Sequence, residues 1–380
     1  MFEQRLLRLP DGARFSVDDQ QAAAEQLMSP ELPPSNVVGV GLGVKWRGGV
    51  PTGEAAAVVM VTQKIPREDL PERDLVPDEI AGLQTDVYSV GDLIAQRSGV
   101  APSAGVEDLA TMLEGYRNGR GATMERPIAE AAPQLLTRRM RPCPSGASVG
   151  NVSVTAGTLG SVVYDFLPQA TINPPVSGIG TPARFYILSN NHVLANTNAA
   201  PAGSAIVQPG TFDGGTDPQD RIATLSRFVP LQLEPFIPRA LHRNIVDAAV
   251  AECNFGDATR EIYFTGAPRG WVRKGGIRAG DLVRKTGRTT NFTVGRVTVT
   301  NATVDVNYGG GRVGRFLNQI ITTGMSAGGD SGSLVCDLDN NAVGLLFAGS
   351  TQVTICNHFE DVRTLLRVEV AERILLQPAR

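Results

Sequence analysis

Apolar residues along this chain come mostly in short, strand-length runs separated by glycine-rich turns, and only three segments read as helix. Gln20–Met28 (QQAAAEQLM) is the first, with Asp18 or Asp19 placed to cap its start and Pro30 just beyond its end. Two β-like runs follow, Val37–Trp46 and Glu54–Lys64, separated by RGGVPTG, which supplies hairpin turn residues. Gly82–Val90 reads as a third strand. Together these predict a small N-terminal α+β domain over residues 1–94.

Residues 95–145 carry little regular pattern. They mix Ser, Gly, Pro and Arg around one candidate helix, Val106–Tyr116, and read as a connector. From about Ser148 the pattern turns to closely spaced β runs: Thr158–Tyr164, Phe185–Leu188, Ala205–Gln208, Ala223–Val229 and Val246–Glu252. A second set comprises Asp281–Lys285, Thr293–Val299, Thr303–Asn307, Leu317–Ile321, Ser333–Cys336 and Val343–Ala348. Many short strands at this spacing predict a sandwich or barrel over residues 146–380. Val362, Leu365, Leu366 and Val370 fall at helical spacing, so the chain is expected to close on an amphipathic helix running from about Glu360 to Leu376.

Composition narrows this picture. Of 380 residues, 42% are apolar and 19% charged, the balance of a soluble globular protein with a real core. The net charge of −3 argues against a general nucleic-acid or anionic-membrane surface. The N-terminal MFEQRLLRLPDGARF has no apolar core of signal-peptide length, and no run approaches the ~18 apolar residues of a membrane span, so a cytoplasmic protein is expected. Cys143, Cys253, Cys336 and Cys356 form no Cys-x-x-Cys pair and are expected as thiols, although the fold can bring Cys336 and Cys356 together.

Three stretches carry candidate chemistry. In YILSNNHVLA, an apolar run breaks into two amides and His192; alone, this histidine reads more readily as a structural loop residue than as a catalytic one. In MSAGGDSGSLV, Ser331 stands among small residues that leave its hydroxyl open and let backbone amides converge on a developing oxyanion, though a glycine-rich hairpin turn would look similar. A serine needs a base, and the base needs a group to hold its tautomer. Asp247, at the start of the apolar run in VDAAVAE, suits that part, or is an exposed cap. The order His192, Asp247, Ser331, with gaps of 55 and 84 residues, is that of the chymotrypsin-type triad.

SNNHV, VDAAV and GGDSGS resemble the three triad motifs of the chymotrypsin/trypsin-like serine peptidases. LVRKTGRTTNFTVGRV (Leu282–Val297) is similar to the Gly-Arg-Thr-Thr hairpin of bacterial members. VGLLFAGS (Val343–Ser350) resembles the strand that pairs with the substrate backbone. GVGLGVK and PTGEAAAVVMVTQK are more loosely similar to the N-terminal unit of the plant narrow-leaf-type trypsin-like proteins and their bacterial relatives. The resemblance implies a mainly β fold: two six-stranded antiparallel β-barrels (chymotrypsin-like) beside the small N-terminal α+β domain, with the C-terminal helix. It implies Ser331 as nucleophile, His192 as base, Asp247 as orienter, and the amides of Gly329 and Ser331 as oxyanion hole. The substrate would be a protein or peptide, cleaved through an acyl-enzyme without cofactor or metal. Met325 stands where the family keeps the base of its specificity pocket. With Phe347 and Gly349 nearby, that predicts a neutral, apolar preference.

Departures from the pattern are Asn190-Asn191 in place of two alanines, and Ser333 in place of a glycine. The N-terminal unit and connector are expected to cover the cleft of a regulated protease, or to set a homo-oligomer, because glycine-rich strands offer open edges. One rival is an α/β-hydrolase using Ser331, Asp337 or Asp339, and His358. It fails on the elbow motif and on the strand that follows Ser331. On that count His358 reads as a loop residue and His242 as an exposed one. A second rival is a non-catalytic binding or scaffold protein on the same fold. Asp213, Asp217 and Asp220 offer a weak calcium loop that turn formation explains as well.

Overall fold

β-Branched and small residues in short runs form strands because they suit a pleated surface packed on one or both faces. The computed structural model describes residues 17–28, 36–47, 50–95, 133–165 and 184–370, and the chain is mainly β. A helix, Val17–Leu27, precedes the hairpin β1 (Val37–Arg47) and β2 (Val50–Val61). Then come β3 (Glu79–Ile80), β4 (Leu83–Ser89) and β5 (Ile94–Ala95). Ala23 and Ala24 of the helix, and Met28 just after it, pack with Val40, Leu42, Ala57 and Val59 of the hairpin. β4 pairs parallel with β2.

The first barrel follows. β6 (Cys143–Ser145) leads into β7 (Ser148–Asn151), β8 (Gly157–Thr158), β9 (Ser161–Asp165), β10 (Phe185–Ser189), β11 (Ala205–Val207), β12 (Arg221–Phe228) and β13 (Ala249–Cys253). Antiparallel pairing runs β9-β10-β13-β12-β11-β7-β8. Only Leu159-Gly160 separates β8 from β9, so these two form one kinked strand and the six-stranded ring closes. Leu159, Val162, Ile187, Ile206 and Leu225 fill it.

β14 (Ala258–Ile262) and β15 (Gly270–Trp271) lead to the second barrel. It comprises β16 (Leu282–Gly287), β17 (Asn291–Asn307), β18 (Val313–Thr323), β19 (Leu334–Cys336), β20 (Asn341–Gly349) and β21 (Val353–His358). The order β16-β19-β20-β21-β18-β17 is closed by a β16–β17 pairing into a second ring of six. The two runs expected at Thr293–Val299 and Thr303–Asn307 are one long strand, irregular where Asn301 takes φ 50°.

The N-terminal strands do not stand apart. β1 pairs antiparallel with β17, so β1, β2, β4 and β3 continue the sheet of the second barrel. The alternate glycines of GVGLGVK explain the approach: a Cβ on Gly39, Gly41 or Gly43 would come within 3.0 Å of Val304, Val299 or the Thr298 carbonyl.

The last helix is shorter than its spacing suggested. It covers Phe359–Leu366, Arg367 takes the left-handed conformation at φ 55°, and β22 (Val368–Glu369) then joins β9. Residues 371–380 and the candidate helix Val106–Tyr116 lie outside the described residues. His242 is buried, not exposed: its Nε2 donates to the Ile237 carbonyl (2.8 Å) and its Nδ1 accepts from the Arg315 amide (3.2 Å). No helix among the described residues is long and apolar enough to cross a membrane.

Candidate active site

The register of the first barrel brings His192 to Asp247. β10 and β13 pair with Ser189 opposite Ala249, so the chain leaving β10 meets the chain entering β13. After Asn190, a one-turn helix, Asn191–Leu194, carries His192 inward. Its Nδ1 lies 2.6 Å from Asp247 Oδ2, and its amide donates to Oδ1 at 3.1 Å. The hydroxyl of Tyr308, from the β17–β18 turn, donates to Oδ2 at 2.7 Å. Burial alone would raise the Asp247 pKa. The His192 ring, the Tyr308 hydroxyl and the His192 amide outweigh it and hold the carboxyl below its ordinary value. With Nδ1–H donating to this carboxylate, Nε2 keeps its lone pair, and it is buried without a partner among the described residues.

The two asparagines support this corner. Asn190 Nδ2 donates to the Asp247 carbonyl (2.7 Å), and Asn191 bonds Asn198 and the Val229 carbonyl. From the second barrel, Asn357 Oδ1 accepts the Asp247 amide (2.9 Å) while its Nδ2 donates to Gln319. Asp247 is thus fixed at both backbone and side chain.

Ser331 arrives from the opposite barrel. Ala327–Asp330 form a tight turn closed by an Asp330 amide to Ala327 carbonyl bond of 3.0 Å, with Gly329 at φ 100°, a conformation that a side chain would strain. The amides of Gly329 and Ser331 donate to no acceptor among the described residues. The Asp330 side chain anchors the turn. It accepts the amides of Thr289 (2.8 Å), Thr290 (3.1 Å) and Ala327 (3.0 Å), the Thr290 hydroxyl (2.6 Å), and Lys285 Nζ at 3.3 Å. The GRTT segment is therefore a cradle for one carboxylate; a Cβ on Gly287 would sit 2.5 Å from Asp330 Oδ1. Burial pushes the Lys285 ammonium down from its ordinary value, and Asp330 opposes that. Thr158 joins the barrels: its amide donates to the Ser331 carbonyl (2.7 Å) and its hydroxyl to the Gly329 carbonyl (2.9 Å).

His192, Asp247 and Ser331 are all fully buried. The Ser331 hydroxyl donates to the Phe347 carbonyl at 3.1 Å, not to His192. A carboxylate-held imidazole, a serine hydroxyl and two backbone amides without an acceptor among the described residues are parts from which acyl-transfer chemistry can be assembled.

The expected pocket residues sit differently from one another. Met325 packs in the second barrel's core with Val283, Val297, Leu346 and Cys356. Phe347 turns its ring to Phe316, 4.7 Å between centroids, and meets Ser331 through its carbonyl. Gly349 pairs with Thr354 on one edge and Ile94 on the other. Of the rival residues, Asp337 is occupied by Asn341, through its amide (2.7 Å) and side chain (3.0 Å). His358 is buried in β21, where desolvation and Lys274 push it down to about 3. Asp213 pairs with Arg288 and Ser148, Asp217 with Arg221, and Asp220 with Thr216. The described residues contain no cluster of three or more His, Cys, Asp or Glu able to hold a metal. All four cysteines are free, and burial pushes the Cys336 thiol up to about 12. Sequence reasoning missed Tyr308, Asn357, Lys285 and Thr158. Only Lys285, inside the quoted LVRKTGRTT segment, lay within a motif.

No protein-family model and no curated protein sequence matches the chain. Solved structures are similar at low identity, and they are serine proteases. Thermobifida fusca Protease A is 14% identical with a TM-score of 0.40, covering 60% of this chain and 97% of its own. A glutamic acid-specific serine protease is 19% identical at TM-score 0.40, covering 60% of this chain and 99% of its own. The chymotrypsin of Cellulomonas bogoriensis is 16% identical at TM-score 0.38, covering 60% and 96%.

Proposed function

We propose that the chain is a serine endopeptidase that cleaves protein or peptide substrates through an acyl-enzyme. Ser331 Oγ attacks the carbonyl carbon and passes its proton to His192 Nε2. The tetrahedral oxyanion is met by the amides of Gly329 and Ser331, a class of donor worth about 3–4 kcal/mol each. Collapse breaks the C–N bond, and the Nε2 proton leaves with the amine. Water then repeats the sequence on the ester and returns the free serine. Asp247 holds the tautomer and stabilises the imidazolium. The observation that carries this reading is the 2.6 Å contact of His192 Nδ1 with a buried carboxylate, which leaves Nε2 as a free acceptor. Met325 in place of a carboxylate favours uncharged, apolar side chains at the cleavage position. The GVGLGVK and PTGEAAAVVMVTQK segments favour kinship with bacterial relatives of the plant narrow-leaf-type proteins, and we read the enzyme as a regulated cytoplasmic one.

Catalysis requires the Ser331 hydroxyl to turn from the Phe347 carbonyl towards Nε2, a rotamer change. That resting position, with full burial, also favours a second reading: a binding protein that kept the parts without using them. Fluorophosphonate labelling separates the two. Labelling should occur in the wild type, vanish in Ser331→Ala, and fall steeply in His192→Ala and Asp247→Asn. Absence of Ser331-dependent labelling under every condition would favour the binding protein.

A further inference from the structure

β20 has β21 along one edge, from Gly344 to Gly349. Its other edge carries three things in order. First is β19, opposite Ala342 to Leu345. Next is the Ser331 loop: the Gly332 amide donates to the Leu346 carbonyl (2.8 Å) and the Ser331 hydroxyl to the Phe347 carbonyl (3.1 Å). Last is β5, antiparallel, with Ala95 opposite Ala348 and Ile94 opposite Gly349. Ala348, opposite Ala95, is next to Phe347, the residue that holds the Ser331 hydroxyl. An extended segment in that direction and register lies as a peptide would when presented to Ser331.

The segment is firmly seated. Val90, Leu93 and Ala95 are at most 3% exposed and pack with Tyr308, Phe347 and Ala348. The Ser350 hydroxyl donates to the Val90 carbonyl, and the Asn307 amide to the Leu93 carbonyl at 2.9 Å. Ile94 also pairs with Asn307 at the end of β17. Asn307 is followed by Tyr308, whose hydroxyl bonds Asp247 and whose ring shares a core with Val90, Leu93 and Ala95.

We propose that Val90–Ala95 is a resident occupant of the peptide-binding edge beside Ser331: the protein holds its own chain where a substrate must pair. The inference rests on the protease reading and adds the form of its regulation. Strand addition needs free amides and carbonyls along an edge, and here they are taken at Ala348 and Gly349. A substrate must displace β5 before it reaches Ser331. A filled cleft also agrees with the complete burial of His192 and Ser331.

Full-length protein carrying Ala95→Cys and Ala348→Cys tests this, since residues directly opposite in an antiparallel pair lie near disulfide distance. Each single variant is the control. Oxidation should lower hydrolysis of a fluorescently labelled unfolded protein at least about tenfold, and reduction should restore it, because the locked strand cannot give up its hydrogen bonds. Ala95→Asp, which puts a charge in the apolar cluster, should raise hydrolysis about tenfold over wild type by the same reasoning. Equal hydrolysis by the oxidised and reduced double variant, with Ser331 labelled in both, overturns the inference and leaves the protease reading standing. Failure of the disulfide to form in folded protein overturns the register itself. Absence of Ser331 labelling in every form overturns the protease reading, and the inference with it.

Discussion

Lys285→Met keeps most of the side chain's length, removes its charge, and leaves Asp330 buried without its cation. Both groups are fully buried and 3.3 Å apart, so neither is relieved by solvent. Breaking such a pair typically costs ~3–5 kcal/mol, because the surviving charge is left uncompensated. Asp330 retains three amides and the Thr290 hydroxyl, which places the expected loss near the low end, about 3 kcal/mol. Urea unfolding reads this directly as a shifted midpoint at unchanged slope. Because Asp330 lies between Gly329 and Ser331, the variant should also label more slowly with fluorophosphonate. The matched control is Arg221→Met, which breaks an ion pair to Asp217 whose side chains are 46% and 30% exposed, so that solvent screens it and little stability is lost. If Lys285→Met loses no more stability than Arg221→Met and labels at the wild-type rate, the buried pair does not hold the Ser331 turn.

Tyr308→Phe removes one of three hydrogen bonds to the Asp247 carboxylate and should cost about 1.5–3 kcal/mol at neutral pH. The folded carboxyl is depressed, so this stabilisation is present above the ordinary value near ~3.9 and is lost as pH falls through the folded value. The gap between wild type and variant in urea should therefore close in acid, and a gap unchanged at the acid end would contradict the assignment. His358, held near 3 in the fold, titrates first in the unfolded chain as pH drops below ~6.5. Its burial therefore costs stability progressively between those values, at up to about 1.4 kcal/mol per pH unit. His358→Leu should gain on wild type by about 2 kcal/mol between pH 7 and 5, and parallel pH–stability curves would rule this out.

How far the sequence could be read depended on whether each contact leaves a local trace. His192, Asp247 and Ser331 each sit in a short pattern, and the β10–β13 register brings the first two together. Tyr308 sits in a glycine-rich turn with no such pattern, and its bond to Asp247 crosses from one barrel to the other. The strands of the N-terminal unit were legible from their β-forming residues, but their docking was not. The signal was present in GVGLGVK, where glycines at alternate positions strip one face for close approach, yet alternation alone does not say what approaches. At the C-terminus, Val370 continues the helical spacing of Val362 and Leu366, yet it also lies two residues from Val368, at strand spacing. The left-handed Arg367 and the pairing with β9 decide for the strand.

The edge of β17 explains why the lock at Ala95 is a sharper test of regulation than truncation. One side of this strand is covered by β18 along most of its length. The other carries β16 from Asn291 to Arg296, then β1 from Val299 to Val304, then Ile94 at Asn307. Removing the N-terminal unit would strip the second and third of these together and leave a long bare edge on the barrel that supplies Ser331. Loss of activity after such a deletion would then report a damaged barrel as readily as a missing regulator. A disulfide between Ala95→Cys and Ala348→Cys leaves β1 in place and changes only whether β5 can leave. Its effect on hydrolysis, set beside an intact β1–β17 pairing, isolates the one contact that competes with substrate.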